Sequence, residues 1–295
     1  MSRPDWNVEG RGWPNREASR FVLAGGLRWH VQVMGSGTPM LLLHGSGAAT
    51  HSWRDLAPLL ARDFTVIAPD LPGHGFTQAP AGDGASLPGM TRGVEALLAA
   101  LGVKPVIAVG HSAGAAIALR LRLDAAARGG DPLGGGVVAL NGALSPFPGA
   151  AGHLFPALAK LLFLNPVAIH LFAWRASQPG AVARLMESTG SRIDSAGLDF
   201  YRRLMSTTGH VEGALAMMSQ WNLEPLRADL GDLTVPLTLV AAGNDHAVPP
   251  RVAHEAAALA PGATVVDLPG LGHLAHEESP ALAASIIRRA AGAPD

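Results

Sequence analysis

Short apolar runs alternate with longer mixed ones along most of this chain. The runs at 21–24, 27–34, 40–43, 64–68, 106–109, 137–140, 237–241 and 264–268 are short and rich in branched side chains, so they read as strands. Gly25-Gly26 between the first two reads as a hairpin turn. From Met40 onward the strands are almost wholly apolar, which is the pattern of strands buried on both faces. Helix-like stretches at 53–61, 90–101, 113–128, 251–260 and 280–291 fall between or after them. The expectation is an α/β protein: an eight-stranded, mostly parallel sheet with helices on both faces and an antiparallel hairpin at one edge.

The rhythm breaks over 143–226, where Leu, Phe, Met and Trp recur at helical spacing without a strand-like run. This predicts a helical cap (143–226) inserted after the sixth strand into a core made of 1–142 and 227–295. The stretch 153–176 is apolar enough to raise a membrane span. Pro156, Lys160 and the Asn165-Pro166 break interrupt it, whereas a span wants about 20 uninterrupted apolar residues. Two cap helices lining an apolar pocket are expected there, with association at a membrane surface as the other reading.

Composition narrows the class. With 48% hydrophobic and 15% charged residues, the 295-residue chain can bury a large core. A net charge of -1 argues against a nucleic-acid partner. With no cysteine there is no disulfide and no thiolate nucleophile or metal ligand. The first twenty residues mix charges of both signs and do not read as a signal peptide. A cytoplasmic protein is expected, at most peripheral to the cytoplasmic membrane.

The candidate chemistry centres on Gly110-His111-Ser112-Ala113-Gly114, between a strand and a run of helix formers. A serine on a sharp strand-to-helix turn needs small neighbours, and the two glycines supply the room. Such a hydroxyl needs a base, and the base needs a third group to orient it. On this architecture the order is Ser, acid, His. His273 follows the last strand in Pro269-Gly270-Leu271-Gly272-His273, and His276 is the rival, read as a partly exposed loop histidine. Asp245 follows the seventh strand; Asn141 stands at the other position known for the acid but carries no charge, and Asp232 precedes a strand. The catalytic candidates are therefore Ser112, His273 and Asp245. The oxyanion donors expected are the N–H of Ala113 and, from His44-Gly45-Ser46-Gly47, the N–H of Ser46. His44 and His111 are read as buttressing these loops.

His44–Gly47, Asp70-Leu71-Pro72-Gly73-His74-Gly75, Gly110–Gly114, Asp245-x-x-Val248-Pro249 and Gly272-His273 together resemble the stations of the α/β-hydrolase superfamily, in its order and over nearly the whole chain outside the cap. Asp70–Gly75 is expected to shape the sheet edge rather than take part in chemistry. A narrower similarity runs through 13–22, Gly26-Leu27-Arg28-Trp29-His30, His51-Ser52-Trp53-Arg54-Asp55-Leu56, Val66–Asp70 and Gly110–Arg120. Those segments resemble the magnesium-chelatase accessory proteins encoded with bacteriochlorophyll biosynthesis. That resemblance implies a phototrophic bacterium, a tetrapyrrole pathway and a pathway partner such as magnesium chelatase.

The residues predict an esterase-like serine hydrolase working through an acyl-enzyme, with no metal or organic cofactor called for. Phe155, Phe163, Trp174, Met217, Met218 and Trp221 suit a large apolar substrate, with Trp174, Met217 and Trp221 as the chosen contacts. Carbon–carbon bond hydrolysis or haloperoxidase-like chemistry on the same three residues stays open. So does a non-catalytic pigment-binding or chelatase accessory role. Dehalogenase and epoxide-hydrolase chemistry would put Asp where Ser112 stands.

Overall fold

Eight strands pair into one sheet in the order β1-β2-β4-β3-β5-β6-β7-β8. They are β1 Ser19–Ala24, β2 Leu27–Met34, β3 Thr38–Leu43, β4 Phe64–Pro69, β5 Ile107–His111, β6 Val137–Leu140, β7 Leu237–Ala242 and β8 Thr264–Leu268. The computed structural model describes residues 2–129, 135–146, 158 and 161–293. β1 and β2 run antiparallel at one edge, β2 meets β4 antiparallel, and every pairing from β4 to β8 is parallel.

The two faces divide the apolar residues by the two-residue period of a strand. Leu41, Leu43, Ile67, Ala108, Val137 and Ala139 pack into one core with helices α2 (Leu87–Leu101) and α3 (Ala113–Ala127). Met40, Leu42, Val66, Val109, Val138 and Leu140 pack into the other with α1 (Leu56–Leu60). Adjacent residues thus serve opposite cores, which is why these strands read as apolar without alternation.

Between β6 and β7 the chain carries helices α4 (Pro166–Ser177), α5 (Ala181–Ser188), α6 (Ser195–Met205), α7 (Thr208–Gln220) and α8 (Glu224–Asp229), and no strand among the described residues. Asn165 stops the preceding chain and starts α4: its side chain accepts from the N–H groups of Val167 and Ala168, and Pro166 fills the first turn. The expected contribution of Phe155 lies outside the described residues.

These helices sit on the loops at the carboxyl ends of the strands, held by unusually close backbone approaches. A Cβ on Gly213 would lie 2.0 Å from the carbonyl oxygen of Gly73, and one on Gly190 would lie 1.8 Å from that of Asn244. A Cβ on Gly272 would in turn stand 2.2 Å from the Gly190 oxygen. No side chain fits at these crossings. The amino-terminal segment straps the same helices to the core. Gly209 N–H donates to Ser2 O (2.8 Å), Arg203 to Arg11 O (2.7 Å), and Trp13 Nε1 to Thr50 Oγ1 (2.9 Å).

Helices α9 (Arg251–Leu259), α10 (Ala275–Glu278) and α11 (Pro280–Ala290) complete the layers. α10 holds a buried polar knot: Glu277 accepts from Ser52 Oγ and Tyr201 Oη, both at 2.7 Å, and pairs with Arg54. Burial pushes the Glu277 carboxyl up, and Arg54 opposes it. A half-satisfied version of this knot would cost far more than it gives, so α6, α10 and the Ser52 turn are fixed relative to one another.

Candidate active site

Ser112 occupies the turn between β5 and α3 with φ 51° and ψ -118°, a region a non-glycine residue enters at a cost of about 1–3 kcal/mol. The neighbours leave no room for side chains. A Cβ on Gly110 would stand 2.4 Å from Ala115, and one on Gly114 would stand 2.1 Å from the oxygen of Leu43. Ser112 N–H donates to Leu140 O (3.1 Å), while its carbonyl accepts from Ala115 and Ala143 (both 3.1 Å). The backbone is tied on three sides and the hydroxyl is carried at the edge of the sheet.

Asp245 and His273 stand after the neighbouring strands β7 and β8, as their loops dictate. Asp245 is buried, and its carboxylate collects four donors: Oδ1 accepts from Ala247 N (2.8 Å) and Val248 N (2.7 Å), Oδ2 from Asn141 Nδ2 (2.8 Å) and His273 Nδ1 (2.7 Å). With three other donors on that carboxylate, His273 presents its Nδ1 proton as the fourth. Nε2 is left bare, in the tautomer able to take a proton. Asn141, set aside as an acid, serves instead as a donor to Asp245. Its backbone is at φ 48°, and its amide also reaches Gly272 O (3.2 Å), joining the β6, β7 and β8 loops. The signal was its position after the sixth strand, where an amide is a poor acid but a good donor.

The loop after β3 comes against Ser112. A Cβ on Gly45 would be 3.0 Å from Ser112 Cβ and 2.9 Å from His111 Nδ1, so a side chain there would have to push one of them aside. Ser46 follows it, half-buried, with a buried hydroxyl that has no hydrogen-bond partner among the described residues. Ala113 opens α3, so its N–H is one of the first-turn donors a helix leaves unpaired. His44 ties the same loop down: Nδ1 lies 2.8 Å from Gly45 O and Nε2 accepts from Leu71 N–H (2.8 Å). His111 Nε2 donates to the carbonyl of His273 (2.9 Å).

His276 is not the partly exposed loop histidine the sequence suggested. It is buried at the start of α10, 2.8 Å from Ser52 Oγ, with its ring centroid 4.4 Å from that of His111. Trp53 flanks its other side at 4.7 Å. His273 belongs to the loop before α10 whereas His276 lies inside that helix, which begins at Ala275, so different backbone places the two rings. Of the expected substrate contacts, Met217 is buried in the same core as Ala113 and Leu144, and Trp221 packs partly buried against it. Trp174 is 59% exposed on α4, away from that core. Asp70 is structural, as expected of its loop. Its carboxylate accepts from Thr50 N (2.7 Å) and Phe76 N (2.9 Å) and meets His30 Nδ1 at 2.8 Å. Burial alone would raise this carboxyl, but His30 and the Phe76 N–H hold it well below the ordinary range.

A sequence model of the α/β-hydrolase fold matches residues 38–280. The chain belongs to the α/β-hydrolase family. Within this family it is 40% identical over 267 residues to the magnesium-chelatase 30 kDa subunit of Rhodobacter capsulatus, covering 90% of this chain and 91% of that protein. Two solved α/β hydrolases share the fold at low identity. The meta-cleavage product hydrolase of Pseudomonas fluorescens has a TM-score of 0.75 at 21% identity, over 94% of this chain and 98% of that one. The epoxide hydrolase CorEH has a TM-score of 0.75 at 22% identity, over 92% and 97%. Among the described residues no helix is long and apolar enough to cross a membrane.

Buried imidazoles around the site give this protein an acid limit. Burial pushes His276 down to about 3, with His273 and Arg54 adding to it, and pushes His210 down to about 4. An unfolded chain binds those protons near the ordinary value of 6.5, so between there and the folded values the unfolded state holds more protons. Stability is full above about pH 6.5 and falls as the pH drops toward 4, by a few kcal/mol in all. Glu277, raised by its burial, works the other way between 4.5 and its raised value. The melting temperature is expected to hold above pH 6.5 and to drop steeply below it. A curve level from pH 7 to 4 would show that these rings are not held neutral.

Proposed function

We propose that this protein is a serine hydrolase that cleaves an ester through an acyl-enzyme. Ser112 attacks the carbonyl as His273 Nε2 takes its proton, and Asp245 holds the imidazole and stabilises its charged form. The N–H groups of Ala113 and Ser46 receive the oxyanion. His273 then returns the proton to the leaving alcohol, and water repeats the sequence on the acyl-enzyme. The observation that carries this reading is the buried Asp245–His273 pair, 2.7 Å apart, on the sheet edge that also carries Ser112 in a strained turn.

The helices between β6 and β7 are proposed as the cap (143–226), with Met217 and Trp221 shaping its apolar side. Similarity to the Rhodobacter capsulatus chelatase subunit supports a tetrapyrrole pathway. A chlorophyll-type intermediate carrying a methyl ester would suit both the chemistry and the apolar cap. A cytoplasmic enzyme meeting the membrane from its surface fits such a substrate. The name of that same relative favours a second reading, a magnesium-chelatase partner that keeps the fold without using the serine.

A fluorophosphonate probe separates the two. Under the first reading the native protein takes up one equivalent at Ser112, read by intact mass and peptide mapping. A protein that stays unlabelled after prolonged exposure would support the accessory reading instead.

A further inference from the structure

Helix α4 is apolar on nearly every side, a composition expected of a helix surrounded by protein or lipid. Only Ile169, Ala173 and Ala176 are buried; Ile169 and Ala173 pack against Val211 of α7. The opposite side is bare: Leu164, Val167, Leu171 and Trp174 follow one another at spacings of three and four, exposed by 66%, 74%, 60% and 59%. Leu161 just before them is 65% exposed as well. Isolated exposed leucines mean little, but a continuous stripe of this kind marks a contact surface.

Charge says what the surface meets. From residue 161 to 186 the described chain has no acidic residue, while it carries Arg175 and Arg184. Arg175 and His170 are exposed on α4 itself. We propose that the exposed face of α4 docks on an anionic lipid bilayer. Leu164, Val167 and Leu171 would enter the acyl boundary, with Trp174 at headgroup depth and Arg175 on the lipid phosphates. A two-fold contact between copies through this stripe would bring like charges together, which disfavours that occupant. The proposal does not rest on the hydrolase reading: Ser112→Ala binds vesicles as the native protein does.

Flotation of the full chain with vesicles of phosphatidylcholine, and of phosphatidylcholine mixed with phosphatidylglycerol, tests it. The native protein floats with the mixed vesicles, and added salt weakens binding. Val167→Glu with Leu171→Glu lowers binding by at least about tenfold, because each places a charge in the hydrocarbon boundary. Arg175→Glu lowers it on the mixed vesicles only. Both sets of side chains are exposed, so the melting temperature should not move, which separates lost binding from lost folding. No flotation on either lipid, or equal flotation of the Glu variants, overturns the proposal. A concentration-dependent dimer abolished by Leu171→Glu, seen in sedimentation without vesicles, would assign the face to a second copy and overturn it equally.

Discussion

Ser112→Ala should lower turnover of a simple aryl ester by about six orders of magnitude while leaving the fold intact. The loss is large because His273 then has no hydroxyl to deprotonate, and the remaining groups give only the acceleration of a polarising site. The fold survives because the backbone bonds of residue 112 to Leu140, Ala115 and Ala143 need no side chain. Alanine meets the same φ of 51° at much the same cost as serine. Single-turnover kinetics on a chromogenic acetate, beside a thermal melt, give both readouts. More than a few per cent of residual turnover would remove Ser112 from the role proposed for it.

The second large effect is expected at Asp245. Asp245→Asn should cut turnover by about ten thousandfold with little change in stability. One side of the amide can still accept from Ala247 and Val248. The other then presents an NH2 toward His273 Nδ1 and Asn141 Nδ2, two groups that are themselves donors. The imidazole must turn or change tautomer to avoid it, and its charged form loses its counter-ion. Turnover within tenfold of the native rate would mean that another carboxylate serves His273.

The central strands were legible because each is short, apolar and bounded by turn residues, and two-sided burial leaves no other composition open to them. A mostly parallel sheet followed from their alternation with helices, the ordered motifs from His44–Gly47 to Gly272-His273 carried the resemblance to α/β hydrolases, and the family match agrees with it. The residues brought together at the sheet edge were legible for a related reason: a strand end is a fixed place, so Asp245 and His273 could be located by the strands they follow. Asn141 was not legible as a donor because its lack of charge speaks only against an acid, and its role as a donor depends on a partner 104 residues away. His276 was misjudged because nothing local shows Ser52, Trp53 and His111 closing around it. The apolar stretch around α4 was expected to line a pocket, yet much of its surface is exposed. Composition gives the amount of apolar surface, and only packing decides which side of it is covered.

The crossings at Gly73–Gly213 and Asn244–Gly190–Gly272 bear on how the binding specificity of this fold can be remade. Transplanting the helical insert of another α/β hydrolase onto this sheet would fail wherever the donor carries alanine or anything larger at the matching crossings, since the first added carbon falls within 1.8–2.2 Å of a carbonyl oxygen. The compatible unit of exchange is therefore the stretch between residues 190 and 213 together with the three loops it touches, moved as one piece. Variation confined to the outer helices leaves those crossings alone, and that is where a lineage could change what it recognises without refitting the scaffold.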